Sequence, residues 1–311
     1  MDATPSVALP SDADSGVPEQ PPASLVVRGR TFAWGARTYV MGVINVTPDS
    51  FSGDGLLRGS VDGAADVVDR AVSQARQMVD EGADMLDIGG QSTRPGHVQV
   101  ADDEELARTQ PVVGAIRSAL PELPISIDTT KRNVAAAALD VGADIVNDVW
   151  GTGDSDALAR LAAERGVPLV VMHNRREARY RNVLAEVLSD LQRALDRALQ
   201  CGVAWESLIV DPGIGFGKTA EQNLAVLRDL SLVTALGRPV LIGTSRKSTI
   251  GKVLDLPADQ RLEGTLATTA LAVASGADIV RVHDVMENVR VTRMADAIVR
   301  GGWTEAEVAG P

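Results

Sequence analysis

One tripeptide occurs three times, as Gly82-Ala-Asp84, Gly142-Ala-Asp144 and Gly276-Ala-Asp278, each time between a helical pattern and a short apolar run. Glycine accepts the left-handed backbone that closes a helix, and an apolar run without polar alternation is a strand buried on both faces. The repeat therefore marks a helix, turn, strand unit. Gly166-Val-Pro168, Gly202-Val203 and Gly237-Arg-Pro239 mark further connections of the same kind. The pattern predicts about eight strands, at 38–45, 84–89, 124–128, 145–148, 168–173, 207–211, 239–243 and 279–283. Helical patterns separate them near 62–81, 102–119, 132–140, 155–165, 183–201, 220–229, 261–275 and 287–299. Strict alternation implies a parallel sheet, and eight repeats in 311 residues favour an α/β fold closed as a (β/α)8 TIM barrel over an open doubly wound sheet. The stretch near 25–37 precedes the first strand and predicts a hairpin that plugs the barrel bottom. Residues 1–24, rich in Pro, Ala, Ser and Asp, form an expected disordered tail, 25–302 the barrel with its extension, and 303–311 a C-terminal tail.

Composition narrows the partners. A formal net charge of -12 argues against a general nucleic-acid or acidic-membrane binder, both of which need a basic face. No run approaches membrane-spanning length, and the first residues lack the basic start and apolar middle of a signal peptide. The single cysteine, Cys201, excludes an intrachain disulfide and fits a reducing, cytoplasmic setting. Three scattered histidines argue against a zinc site.

Barrel enzymes build their sites at the C-terminal strand ends. Here those ends carry Asn45, Asp87, Asp128, Asn147 with Asp148, His173, Asp211, the Thr244-Ser-Arg-Lys247 loop, and Arg281 with His283. Asp87 and Asp148 fit helix capping or an internal ion pair as well as they fit a ligand. The ring as a whole is not needed for stability, and burying so many polar groups is costly unless they pair or meet a ligand. Asp128, Asn147 and Asp211 suit a flat heterocycle with a guanidine-like edge, because a carboxylate accepts two hydrogen bonds from such an edge. Lys247, Arg281, His283 and Arg94 are cations at loop positions of an acidic chain and suit a phosphate or diphosphate. A magnesium ion held by one protein oxygen and by phosphate oxygens would help such a leaving group, and Asn45 is placed to supply that oxygen. The glycine-rich stretch from Asp211 to Lys218 is not a Walker A loop, since the glycine required five residues before Gly217 is Pro212. It still lets a ligand lie against backbone, as one wall of a site.

Read in order, Met41-Gly-Val-Ile-Asn-Val-Thr-Pro-Asp-Ser-Phe-Ser52, Gly89-Gly-Gln-Ser-Thr-Arg-Pro-Gly96, Ile125-Ser-Ile-Asp-Thr129, Asn147-Asp148, Val171-Met-His173, Asp211-Pro-Gly-Ile-Gly-Phe-Gly-Lys218, Ser245-Arg-Lys-Ser248 and Arg281-Val-His-Asp284 resemble dihydropteroate synthases. The resemblance covers about 38–299, at every strand end. It implies a TIM-barrel homodimer that joins p-aminobenzoate to 6-hydroxymethyl-7,8-dihydropterin diphosphate, releasing diphosphate in folate biosynthesis, with sulfonamides competing for the p-aminobenzoate site. Carried over by position, it makes Asp128, Asn147, Asp211 and Lys247 pterin binders. Arg281 would stack on the pterin and hold the diphosphate with His283 and Asn45, and Asn45 would also touch Mg2+. Thr93, Arg94 and Pro95 match a second loop that, with Asp49 and Phe51 of the first, closes over the reacting centre. Phe216, Lys247 and Ser245 would line the aminobenzoate pocket. Asp128, Arg94 and Lys247 are the expected catalytic residues.

The chain departs from the family pattern in places. Gln91 stands where Glu is usual, Ser52-Gly-Asp-Gly55 replaces Ser-Asp-Gly-Gly, and Arg132 replaces a frequent proline. The loop Asn174-Arg-Arg-Glu-Ala-Arg-Tyr-Arg181 is short and lacks a Met-x-Gly motif, and its arginines are expected to be solvated rather than part of the anion site. Two other readings share the barrel. A pterin-dependent methyltransferase would not need the Ser-Thr-Arg-Pro and Ser-Arg-Lys loops together, and a non-catalytic pterin-binding paralogue would bind without turnover.

Overall fold

The computed structural model describes residues 22–47, 64–91 and 100–301. Apart from residues 22–24, the two expected tails lie outside them. A hairpin of β1 (Leu25–Val27) and β2 (Arg30–Phe32) precedes eight parallel strands: β3 (Tyr39–Asn45), β4 (Met85–Gly89), β5 (Ile125–Asp128), β6 (Ile145–Asp148), β7 (Leu169–Met172), β8 (Leu208–Asp211), β9 (Leu241–Ile242) and β10 (Ile279–Val282). Their order is β8-β7-β6-β5-β4-β3-β10-β9, and a parallel bridge between Val210 and Val240 joins the two ends into a nearly closed barrel. The helices are α1 (Ala64–Asp80), α2 (Asp102–Ala119), α3 (Arg132–Asp140), α4 (Ala157–Arg165), α5 (Val183–Gln200), α6 (Ala220–Arg228), α7 (Ser248–Leu254), α8 (Leu262–Ala274) and α9 (Val285–Val299). The expected eight strands are all present, with ends shifted by a residue or two. The short α7 and the 3-10 turns at Trp205–Ser207, Leu230–Leu236 and Ala258–Gln260 are additions. Such one- or two-turn pieces are too short for a helical apolar period to show.

The Gly-Ala-Asp turns have the geometry their sequence predicts. Gly82, Gly142 and Gly276 sit at φ 103°, 116° and 90°, and the alanines after them are buried. The aspartates carry a second function. Each accepts the backbone N–H that opens a neighbouring strand: Asp84 from Val40 at 2.8 Å, Asp144 from Ile125 at 2.9 Å and Asp278 from Val240 at 3.0 Å. A carboxylate that accepts a backbone N–H and a cation together leaves neither buried group unpaired.

The same three aspartates hold the N-terminal segment in place. Arg37 pairs with Asp84, Arg28 with Asp144, and the Gly35 N–H donates to Asp278 at 3.0 Å. Leu25, Val27, Phe32 and Trp34 then pack on the inward residues of the strands' first halves, among them Tyr39, Met41 and Ile279. The expected plug is therefore observed, and it leaves the C-terminal strand ends as the open face. Deleting residues 1–21 should leave the melting temperature unchanged, since that Pro- and Ala-rich stretch has little apolar material to bury. Extending the deletion through residue 37 should cost on the order of 5 kcal/mol or more, from four buried apolar side chains at about 1.5–3 kcal/mol each. Thermal denaturation of the two truncations checks this, and equal melting temperatures would show that the plug is dispensable.

Candidate functional site

Register places the polar residues on one rim. Asn45 is level with Gly89, Gly89 with Asp128, and Asp128 with Asn147, while Met172 is level with Asp211. Asp87 lies one inward position below Gly89, and Arg281 starts lower still, level with Met41. The long arginine side chain is what lets a residue from the middle of β10 reach the rim.

Arg281 and Asp87 form the centre of the site. The guanidinium donates from Nε to Asp87 Oδ2 at 2.6 Å and from Nη2 to Asp128 Oδ2 at 2.8 Å. Asn147 Nδ2 donates to the same Asp87 oxygen at 3.1 Å. Asp87 is 0% exposed, Asp128 5% and Asn147 3%, so these polar groups are out of water. By its sequence position Asp87 fits an internal ion pair as well as a ligand contact, and the structure makes it the ion-pair partner that aligns Asn147 and Arg281. Its signal was available: a carboxylate at an inward strand position needs a cation within reach, and Arg281 is an inward cation on a strand that closes the same barrel.

Two acceptors remain after these bonds. Among the described residues, Asp87 Oδ1 and Asp128 Oδ1 are buried without a hydrogen-bond partner. An orphaned buried acceptor costs about 1–3 kcal/mol, so a pair of them in a concave rim is a place where N–H donors of a ligand are favoured. Burial pushes the Asp128 carboxyl up to about 7, against the pull of Arg281 and with the push of Asp87 and Glu105. Asp211 is likewise raised by burial, opposed by Lys247 and by the Gly213 N–H that donates to its Oδ1 at 2.7 Å. For Arg281, burial acts to lower the guanidinium, yet Asp87 and Asp128 hold it above its ordinary value.

A second group of residues forms the wall beside Asp211. Lys247 lies with Nζ 4.5 Å from the Phe216 ring centre and donates to the Ile214 carbonyl. A Cβ on Gly215 would stand 3.0 Å from the Lys247 stem, so glycine there lets the lysine lie on the loop. At Gly213 and Gly217 the requirement is absolute, because φ is 66° and 55° and an added Cβ would fall 1.9 Å from the His173 carbonyl and 2.2 Å from that of Arg175. Ser245, at 6% exposure, accepts the His283 N–H at 3.2 Å and lies 2.9 Å from His283 Nδ1, which joins the two substrate halves expected of these residues. Between Ser245 and Lys247, Arg246 has a left-handed φ of 55° and is held by a two-pronged pair with Asp284.

Some expected residues fall elsewhere. His173 is fully buried between Lys218 and Asp190 and faces no opening. Asp148 accepts the Trp150 N–H at 3.0 Å, a turn-forming bond, and burial pushes its carboxyl up to about 7. The arginines of the 174–181 loop were expected to be solvated. Arg175 is not: it donates to both Asp190 and Glu186 and covers the Tyr180 ring at 4.5 Å, so it fastens the loop. Thr93, Arg94, Pro95, Asp49 and Phe51 lie outside the described residues.

Asn45 is half-buried at the rim, and its amide makes no hydrogen bond among the described residues. Those residues contain no group of three or more His, Cys, Asp or Glu that would hold a metal by itself. The donor set fits magnesium only as a hard cation that keeps phosphate and water oxygens and takes one oxygen from Asn45.

Comparison with known proteins agrees with this geometry. The model of the pterin-binding enzyme family matches residues 41–283. A dihydropteroate synthase of Clostridium beijerinckii is 46% identical over 275 residues, which is 88% of this chain and 99% of that relative. Among solved structures, dihydropteroate synthase from Clostridium difficile in the presence of pteroic acid superposes with a TM-score of 0.80 at 47% identity, covering 86% of this chain and 99% of that one. The Xanthomonas albilineans dihydropteroate synthase with 4-aminobenzoic acid gives 0.81 at 37% identity, covering 93% and 100%.

Proposed function

Because this chain belongs to the pterin-binding enzyme family and has the dihydropteroate synthase activity, we infer that the rim around Arg281 is its pterin pocket. The enzyme is a transferase that joins 6-hydroxymethyl-7,8-dihydropterin diphosphate to p-aminobenzoate, giving 7,8-dihydropteroate and diphosphate. The observation that carries the site assignment is the pair of orphaned buried acceptors on Asp87 and Asp128, beside Asn147 and Asp211. A pterin edge offers adjacent N–H groups that such acceptors take up. Arg281 donates to Oδ2 of both Asp87 and Asp128, and the Asp87 bond retains the guanidinium when the heterocycle engages Asp128. Held through Nε by Asp87, Arg281 then turns its remaining N–H groups to the pterin face and, with His283, to the diphosphate.

Reaction follows from charge. The leaving diphosphate takes negative charge, which Arg281, His283 and Lys247 are proposed to stabilise, and magnesium at Asn45 would add Lewis-acid help to the same oxygens. Positive charge spreading into the dihydropterin is met by Asp128. Phe216, Lys247 and Ser245 form the aminobenzoate side, from which the neutral amine attacks the methylene carbon. Thr93, Arg94 and Pro95 are proposed to complete that side and exclude water.

A homodimer is supported by the outer face of α8 and α9, where Leu271 is 67%, Met294 63% and Ile298 70% exposed. Apolar side chains in such a cluster fit a partner face. Sedimentation equilibrium returning a monomer would contradict it. No helix among the described residues is long and apolar enough to cross a membrane, and the proposed cytoplasmic setting rests on the lone Cys201.

Asp128 provides the test of the pocket. Its ionised form is the acceptor, and its carboxyl titrates near 7, so affinity for the pterin diphosphate should rise with pH and level off above about 7. Calorimetric titration over about one and a half pH units either side of that value should show the inflection in an Asp148→Asn variant and lose it in Asp128→Asn. An inflection that instead follows Asp148 would move the acceptor away from Asp128.

A further inference from the structure

We propose that Lys218 is a positioning residue for the aminobenzoate wall: its buried ammonium ties the Asp211–Lys218 loop to His173 and so sets where Phe216 stands. In a Walker loop the lysine at this place reaches a phosphate. Here it turns back. Nζ donates to the Gly213 carbonyl at 2.9 Å and to the Phe216 carbonyl at 3.1 Å, and it lies 2.9 Å from His173 Nδ1. Burial pulls the Lys218 amine down to about 7, with Asp211 opposing, and its protonated form has three N–H groups for the three acceptors in place.

The acceptor state of His173 is settled by its surroundings. Burial holds the imidazole down to about 3, helped by Lys218 and opposed by Asp190, so it is neutral. A neutral ring that accepts at Nδ1 carries its proton at Nε2, which lies 3.2 Å from Asp190 Oδ2. Asp190 is fixed in turn by Arg175 and Arg193. The chain of contacts runs from α5 through His173 and Lys218 into the loop, and Tyr180 adds a bond from its hydroxyl to the Gly217 carbonyl at 2.9 Å.

The tie has most effect on this loop because three of its residues are glycines. Gly213, Gly215 and Gly217 all have positive φ, and glycine loses more freedom on ordering than any other residue. Phe216 lies among them with its ring against Lys247 Nζ. A shift of this backbone moves the ring and Lys247, which serves both substrates, whereas the other pterin contacts Asp128, Asn147 and Asp211 lie at the ends of β5, β6 and β8, and Arg281 joins Asp87 to Asp128. The tie therefore acts on one substrate more than on the other.

This inference rests on the proposed aminobenzoate role of Phe216, and the experiment separates the two. The full chain is assayed as wild type and as Phe216→Ala, Lys218→Met and Lys218→Gln, with KM for p-aminobenzoate, kcat, and the calorimetric Kd for the pterin diphosphate measured on each. Lys218→Met should raise KM for p-aminobenzoate about tenfold more than it raises the pterin Kd, the size expected from losing bonds made by a charged donor. Lys218→Gln, with two donors and no charge, should fall between, and it carries the test if the methionine variant does not fold. If Phe216→Ala raises the aminobenzoate KM but both Lys218 variants leave it unchanged, the positioning role is wrong while the pocket stands. If Phe216→Ala itself leaves that KM unchanged, the pocket assignment fails first. Equal losses for both substrates in the Lys218 variants would make the lysine a general structural group and overturn the inference.

Discussion

Asp128→Asn and Asp211→Asn should each weaken binding of the dihydropterin diphosphate by about 1.5–3 kcal/mol per lost charged hydrogen bond, or roughly 10- to 150-fold. The amide keeps the shape of the side chain and one acceptor oxygen, so what disappears is the negative charge. For Asp128 the effect has a second part. Its Oδ2 accepts from Arg281, and the asparagine variant leaves the guanidinium to Asp87 alone. Since Asp87 remains, the barrel should keep its melting temperature within a few degrees. For Asp211 the Oδ1 bond from Gly213 can survive in the amide, so the start of the glycine-rich loop stays in place. Calorimetry beside a melting curve reads both quantities. Unchanged pterin affinity in both variants would remove these carboxylates from the pocket.

Arg281→Met should be the more damaging change because it acts on stability as well as on catalysis. It leaves Asp87 and Asp128 facing each other, buried, with their shared cation gone. Removing one partner of a buried pair costs about 3–5 kcal/mol, which for a barrel of this size is a melting-temperature loss on the order of 10 °C. The pH dependence has a definite sign. Burial already raises the Asp128 carboxyl to about 7, and losing the guanidinium raises it further. A carboxyl with a raised folded-state pKa stabilises the fold below its ordinary pKa of 3.8, and that contribution is lost as pH rises through the folded value. The deficit of Arg281→Met should therefore shrink in acid and grow toward pH values above about 7. Adding Asp87→Asn should recover part of it, because one of the two uncompensated charges is then removed. A melting temperature equal to wild type at neutral pH would show that water screens this cluster, contrary to its burial.

Much of the molecule was legible without coordinates. The barrel followed from glycines that close helices before apolar runs, a local signal repeated often enough to count. The rim residues followed from the same count, because a strand's last residue is placed by where its apolar run stops. Asp128 and Asn147 meet at the strand ends as expected, and Arg281 joins them from inside β10 through Asp87 and Asp128. What stayed hidden depended on which long side chain turns toward which neighbour. Asp87 sits mid-strand, where an inward carboxylate asks for a cation, but the reach of Arg281 up from the level of Met41 is what shows which cation answers and that the pair orients the site. Lys218 looked like a failed phosphate loop until its three contacts were seen to be internal. Arg175 looked solvated because a run of arginines in a loop carries no hint of Asp190, which comes from the second turn of α5. The aspartates of the Gly-Ala-Asp turns marked where strands begin, but nothing local showed that all three also hold the N-terminal plug.

The most direct measurement is diphosphate release by the purified chain, supplied with magnesium and followed with each substrate omitted in turn. Release that requires both the dihydropterin diphosphate and p-aminobenzoate, with 7,8-dihydropteroate formed in equal amount and activity lost in Asp128→Asn, is the predicted result. Tight binding of the pterin diphosphate without any release in the presence of p-aminobenzoate would contradict it, and would leave a protein that holds pterins without joining them.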